Sequence, residues 1–147
     1  MKEWKNIDLA LKIATSAHYG QVDKQGKPYI LHPITVMVDP LLTTENEQVV
    51  AVLHDTVEDD RNTTVGDIRR AFGDVIADAI DAITHRPHEE YVSYLERVMA
   101  NELAFAVKKA DVRHNSSESR IDNLDEANKK RLSRKYAKAK QILGMET

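Results

Sequence analysis

Apolar residues recur along this chain with the spacing of helices and almost nowhere with the alternation of strands. Ile7, Leu9, Ala10, Leu11, Ile13, Ala14 and Ala17 return every three or four positions and predict an amphipathic helix over 6–19. A polar stretch, 21–28, follows with Gly26 and Pro28 as punctuation. A short second helix starts around Pro33, a residue suited to a first turn, and Pro40 interrupts it. The pattern then predicts one helix from Glu45 to about Asp59. Thr64 followed by Asp67 reads as an N-cap with an acid in the first turn of a two-turn helix ending near Phe72-Gly73. Residues 74–84 form a further helix with Val75, Ile76, Ala79, Ile80 and Ile83 inward. A break at 85–88, around Pro87, separates it from a helix over 89–99. Asn101 caps a helix that carries Leu103, Ala104, Ala106, Val107 and Ala110 and runs through Asp111 to about Ser116. Residues 116–124 read as a polar loop, and 125–143 as a closing basic amphipathic helix. The expectation is an all-α, bundle-like fold in a single domain over 1–147.

Composition narrows what such a fold would do. With 147 residues the chain is long enough for a real core, and 41% hydrophobic with 31% charged residues suits an ordinary globular protein. A net charge of −3 does not point to nucleic acid. The basic stripe Arg131, Lys135, Lys138 lacks the set of aromatics that would stack bases, so it reads as a solvated face. The absence of cysteine excludes disulfides, thiolate metal sites and cysteine nucleophiles, and is compatible with a reducing compartment. Residues 1–5 hold no apolar signal core, and no run approaches membrane-spanning length. These features fit a cytoplasmic protein with a small-molecule partner and no nucleic-acid or membrane partner; assembly into a homo-oligomer is left open.

The chemistry gathers after the apolar run Val49 to Leu53, where His54, Asp55, Glu58 and Asp59 follow directly. On a continuous helix, His54 would stand above Glu58 and Asp55 above Asp59. One imidazole and three acids in one turn are costly unless a cation or substrate sits among them. His32 at the start of the second helix, and Asp111 at the end of an apolar stripe, are candidates to complete a ligand set; Asn115 shares the face of Asp111. Two imidazoles with two carboxylates suit a first-row dication such as Mn²⁺, Fe²⁺ or Zn²⁺ better than Ca²⁺ or Mg²⁺. Glu58 and Asp59 would then orient an attacking water or take its proton. Taken singly, each residue has a plainer reading. His32 suits a core histidine, Asp111 an acid paired with Lys108 or Arg113, Asn115 a helix cap, and the 58–60 acids a solvated run. His85 and His88 around Pro87 read as a loop.

The combination resembles a known family. Tyr29-Ile30-Leu31-His32-Pro33, then Ala51 through Asp59, then Phe72-Gly73, then Lys109 through Asn115 are similar to the HD hydrolase domain of RelA/SpoT enzymes, and in length to the stand-alone small alarmone hydrolases. The resemblance spans 6 to about 143 and implies an HD-domain helical bundle. It also implies a Mn²⁺-dependent hydrolase that removes the 3′-pyrophosphate of ppGpp and pppGpp. Carried over by position, it makes His32, His54, Asp55 and Asp111 the metal ligands and Glu58 and Asp59 the acidic pair at the attacking water. Lys24, Asn115 and Tyr136 become substrate contacts.

The chain departs from that pattern in the nucleotide-binding part. Where the family has a base-stacking arginine before the lysine, this chain has Asp23, and Gln25 stands where serine is frequent. Aspartate offers neither a flat cation nor attraction to phosphate. Arg113 is one position later than the family's arginine, about a hundred degrees around a helix. Asp23 thus supports an alternative: an HD phosphohydrolase for another nucleotide, such as NADPH or a modified purine nucleotide.

Overall fold

Five consecutive residues, Val49 to Leu53, have no exposed surface at all. A helix that is apolar on every side needs neighbours on every side, and the fold supplies them. In the computed structural model, which describes residues 5–146, helix α3 (Glu45–Leu53) packs on α1 (Lys5–Ala17), α2 (Leu31–Met37), α6 (Asp74–Ile83) and α8 (Glu102–Asn115). Helix α8 is the second hub and also meets α7 (Tyr91–Met99) and α10 (Glu126–Leu143). The remaining elements are α4 (Thr56–Asp59), α5 (Val65–Phe72) and α9 (Glu118–Ile121). Among the described residues there is no strand, only an isolated bridge between Val22 and Pro28, and no helix is long and apolar enough to cross a membrane. Residues 1–4, part of the segment read as lacking a signal core, lie outside the described residues.

Local sequence explains several helix starts. The Thr44 hydroxyl accepts from Glu47 N at 3.1 Å while Thr44 N donates to Glu47 at 3.0 Å, a reciprocal cap at the start of α3. Thr64 and Asp67 repeat the arrangement at α5, as the spacing predicted. Asn101 Oδ1 accepts from Ala104 N and opens α8. Buried Ala10 and Ala14 form the inner face of α1, whose small side chains suit its packing against α3.

Three expectations are corrected. The predicted helix over 45–59 is broken. His54 Nδ1 donates to Ala51 O at 2.5 Å and Thr56 Oγ1 donates to Leu53 O at 2.8 Å, so side chains occupy carbonyls that the next helical turn would use. The chain turns at His54-Asp55 and restarts as α4, so the four residues do not form two stripes of one helix. Val75 is 61% exposed, and Ala77 takes the inward position instead. The polar stretch 116–124 contains the single turn α9.

Candidate metal centre

The break after α3 sets the position of the chemistry. His54 caps the C-terminus of α3 and Asp55 precedes α4, so both are held by backbone rooted in the core. His32 arrives from the first turn of α2 and Asp111 from the third turn of α8. His32, His54 and Asp111 are buried. One ligand atom each from His32, His54 and Asp55 lies within 4.8 Å of the others. Asp111 closes the group, its Oδ1 being 2.8 Å from His32 Nε2 and 3.2 Å from His54 Nε2.

Tautomer logic shows that this donor set fits a cation. A carbonyl can only accept, so His54 Nδ1 carries the hydrogen it gives to Ala51 O. In the neutral ring, Nε2 then holds a lone pair, which faces Asp55 Oδ2 at 3.1 Å and Asp111 Oδ1 at 3.2 Å. Lone pairs directed at one another repel, so despite burial Asp55 and Asp111 hold His54 well above its ordinary range with a proton on Nε2, and a metal cation can take the place of that proton. His32, His54 and Asp55 therefore form a possible metal site, with Asp111 beside it.

Other groups brace it. Tyr29 OH donates to Asp55 Oδ2 at 2.6 Å, and Lys108 Nζ to Asp111 Oδ2 at 2.9 Å. Asn115 Nδ2 donates to Asp111 Oδ1 at 3.0 Å. The His114 ring stacks on His32 at 4.9 Å between centroids, with the two Nδ1 atoms 2.7 Å apart. Burial opposes charge on Asp55 and Asp111, but His54 beside the first and Lys108 beside the second outweigh it, holding both carboxyls below their ordinary range. Burial, and then the charge of His32, lower His114 to about 4. Tyr29 and His114 went unassigned in the sequence reading. The available signal was spacing, since each lies three residues from a candidate ligand and so shares its side of a turn.

The acidic pair lies just beyond. Glu58 accepts from His85 N at 2.8 Å, and burial followed by the charge of Asp55 raises its carboxyl. Partial burial, then the charges of Asp55 and Glu58, push Asp59 up to about 7. Both side chains belong to exposed residues, so water reaches them.

A cavity of about 320 Å³ opens over the site, at the small end of the range for ligand pockets. His32, Asp55, Asp111 and Glu58 line one end. The expected substrate contacts Lys24, Asn115 and Tyr136 line it too, as do Lys108, Arg120 and Lys135. Asp59 sits beside Glu58 rather than in the cavity wall. The plainer reading of Asp111 is half met: it pairs with Lys108, yet it does so at the ligand cluster. Arg113 turns away and donates from Nε to Asp39 at 3.0 Å, joining α8 to the end of α2.

Both oxygens of the Asp23 carboxylate are paired. Its Oδ1 accepts from the backbone N–H of Gln25 at 2.8 Å and of Lys27 at 3.0 Å. Its Oδ2 accepts from Arg120 Nη1 at 3.1 Å. Local turn geometry and a cation from far along the chain together satisfy it.

Comparison with known proteins adds a lineage. A model of the HD domain matches residues 10–141. A guanosine-3′,5′-bis(diphosphate) 3′-pyrophosphohydrolase of Borreliella burgdorferi is 33% identical over 77% of this chain. A GTP pyrophosphokinase of Streptomyces coelicolor is 32% identical over 97% of it. The chain spans only 19% and 18% of the lengths of these relatives. Among solved structures, a metazoan ortholog of SpoT, described as hydrolyzing ppGpp, superposes with a TM-score of 0.78. That match covers 97% of this chain and 88% of the other at 22% identity, so the likeness is one of fold.

Proposed function

The chain belongs to the HD domain family, and from that premise we propose that it is a metal-dependent hydrolase removing the 3′-pyrophosphate of ppGpp or pppGpp. The products are GDP or GTP and pyrophosphate. One observation carries the reading. Two imidazole nitrogens and two carboxylates converge at one end of a cavity whose walls also bear Lys24, Lys108 and Lys135. Similarity to the 3′-pyrophosphohydrolase of B. burgdorferi supports the choice of substrate.

In this reading His32, His54, Asp55 and Asp111 hold a Mn²⁺ ion, which two nitrogens and two oxygens suit. When bound, such an ion supplies Lewis-acid polarisation of a phosphoryl oxygen and makes a water more acidic. The protein groups do the rest. Asp59, raised towards neutrality, takes the proton of the attacking water, and Glu58 orients that water. The water oxygen bonds to phosphorus as the bond from phosphorus to the 3′ oxygen breaks, and the proton taken up by Asp59 is returned to the 3′ oxygen, which leaves as a hydroxyl. Lys24 and Lys135 offset the phosphate charges, and Asn115 and Tyr136 contact the nucleoside. A cytoplasmic location would fit nucleotide turnover of this kind. The alternative substrate rested on Asp23 standing where the family has a base-stacking arginine, and similarity to relatives named 3′-pyrophosphohydrolases does not favour it.

Turnover of ppGpp by the full chain with Mn²⁺, with products identified, tests the reading. GDP and pyrophosphate in equal amounts are expected. Their absence, or a preference for NADPH in direct competition, would sink it.

A further inference from the structure

The two positions at which the 21–28 loop departs from the family pattern do the same thing. Asp23 binds the Arg120 guanidinium, and Gln25 Nε2 donates to Ser119 O at 2.7 Å. Both reach across more than ninety residues of sequence to the single turn α9. Together they clasp α9 against the loop, beside the cavity.

The clasp orients one side chain in particular. Arg120 Nη1 donates to Asp23 Oδ2, and its Nη2 donates to Asn115 Oδ1 at 3.2 Å. Asn115 in turn holds Asp111. With both terminal nitrogens tethered, the guanidinium plane is set. Its charge is largely matched by Asp23, whose side chain is only 8% exposed, so it is a poor general attractor of phosphate. A tethered guanidinium still offers its flat face, and such a face stacks on planar heterocycles. Val22, Leu124 and Leu132 line the same cavity, so apolar surface is available to such a ring. Lys24 and Lys135 line the cavity without a salt bridge among the described residues and are left for phosphate.

We propose that Arg120 is the base-binding residue of this pocket, a stacking platform for a purine nucleotide, and that Asp23 and Gln25 are positioning residues that hold it there. The inference rests on the nucleotide-hydrolase reading and adds a specificity determinant to it.

The test is binding, which does not require turnover. Titration calorimetry of the Mn²⁺-loaded full chain compares GDP with inorganic pyrophosphate, which has charge but no base. Arg120→Ala is expected to weaken GDP about tenfold, the scale of one base stacked on a side chain, and to leave pyrophosphate within about twofold. Arg120→Lys keeps the charge but loses the plane, so it should fail like alanine. Asp23→Asn keeps the oxygen that the loop N–H groups need and removes the charge that holds Arg120. It should weaken GDP in the same sense. The pair Asp23→Asn with Arg120→Ala should be no worse than Arg120→Ala alone, the mark of one residue acting through the other. Four results would overturn the proposal. These are GDP affinity unchanged in Arg120→Ala, pyrophosphate weakened in step with GDP, full rescue by lysine, and no GDP binding by the parent protein. Separate assay of ppGpp turnover keeps the two readings apart: GDP binding that depends on Arg120 without hydrolysis would retain this inference and remove the other.

Discussion

The two ends of the pocket are built on different principles. The ligand end is an extension of the core: His54 and Asp55 follow directly from the fully buried α3, and Asp111 follows Ala110 on α8. Its side chains inherit the rigidity of packed helices. The outer end is built from a loop, a single helical turn and the middle of α10, which brings Leu132, Lys135 and Tyr136, and polar contacts such as Asp23 to Arg120 and Gln25 to Ser119 hold it. Chemistry that demands fixed geometry sits on the first kind of support. Recognition, which varies among relatives of one fold, sits on the second. Substitutions can therefore alter what is bound without disturbing the reacting groups.

The sharpest way to break this contrast is at the ligand end. Asp55→Ala removes a proposed metal ligand, and a loss of several kcal/mol of transition-state stabilisation amounts to about a thousandfold or more in rate. Manganese binding by calorimetry should fall with it while the helical circular dichroism stays close to that of the parent. Near-parental turnover would remove Asp55 from the ligand set. Leu53→Ala tests the support beneath. Its side chain is fully buried, so about 2–5 kcal/mol of stability should be lost in denaturant unfolding, with activity declining as the neighbouring His54 loosens.

At the outer end the effects should be smaller and confined to KM. Asp23→Arg, which restores the residue type usual in the family, is expected to weaken rather than improve substrate binding, by about tenfold. It discards the carboxylate that accepts from Gln25, Lys27 and Arg120 and sets two guanidinium groups together. A gain in ppGpp turnover would show that the clasp contributes nothing.

A pH experiment separates function from folding at Asp59. As the proposed base it must be ionised, so activity should rise with pH along an acid limb centred at or below about 7, since a bound dication would draw its pKa down. The stability effect has the opposite sense. A carboxyl whose folded pKa lies above its unfolded value binds protons more tightly when folded, so stability falls as pH rises between the two values. Asp59→Asn should abolish most activity yet raise the melting temperature of the metal-free protein at pH 8, with the difference fading towards pH 4. A lower melting temperature at pH 8 would contradict the raised value.

The smallest effect belongs to Arg113→Ala. Its ion pair with Asp39 is partly exposed, so about 0–1 kcal/mol is expected, with unchanged KM because the side chain points away from the cavity. A marked rise in KM would return Arg113 to the pocket.

Much of the architecture was legible in the sequence because it depends on local rules. Periodicity identified the principal helices, and the caps at Thr64 and Asn101 are visible as residue types at fixed offsets. The candidate ligands were legible for a related reason. Clustered ionisable groups after an apolar run are conspicuous, because burial makes such groups costly without a partner. The break at His54-Asp55 was not legible. It depends on which carbonyls two side chains capture, and periodicity carries no record of that. Tertiary structure alone decided the meeting of Asp23 with Arg120 and of Gln25 with Ser119, each more than ninety residues apart. A polar residue in a loop looks the same in sequence whether it faces water or a cation brought from elsewhere in the chain. Hydrophobic order is written along the chain at the helical period, whereas the partner of a loop carboxylate is set only when the helices have packed.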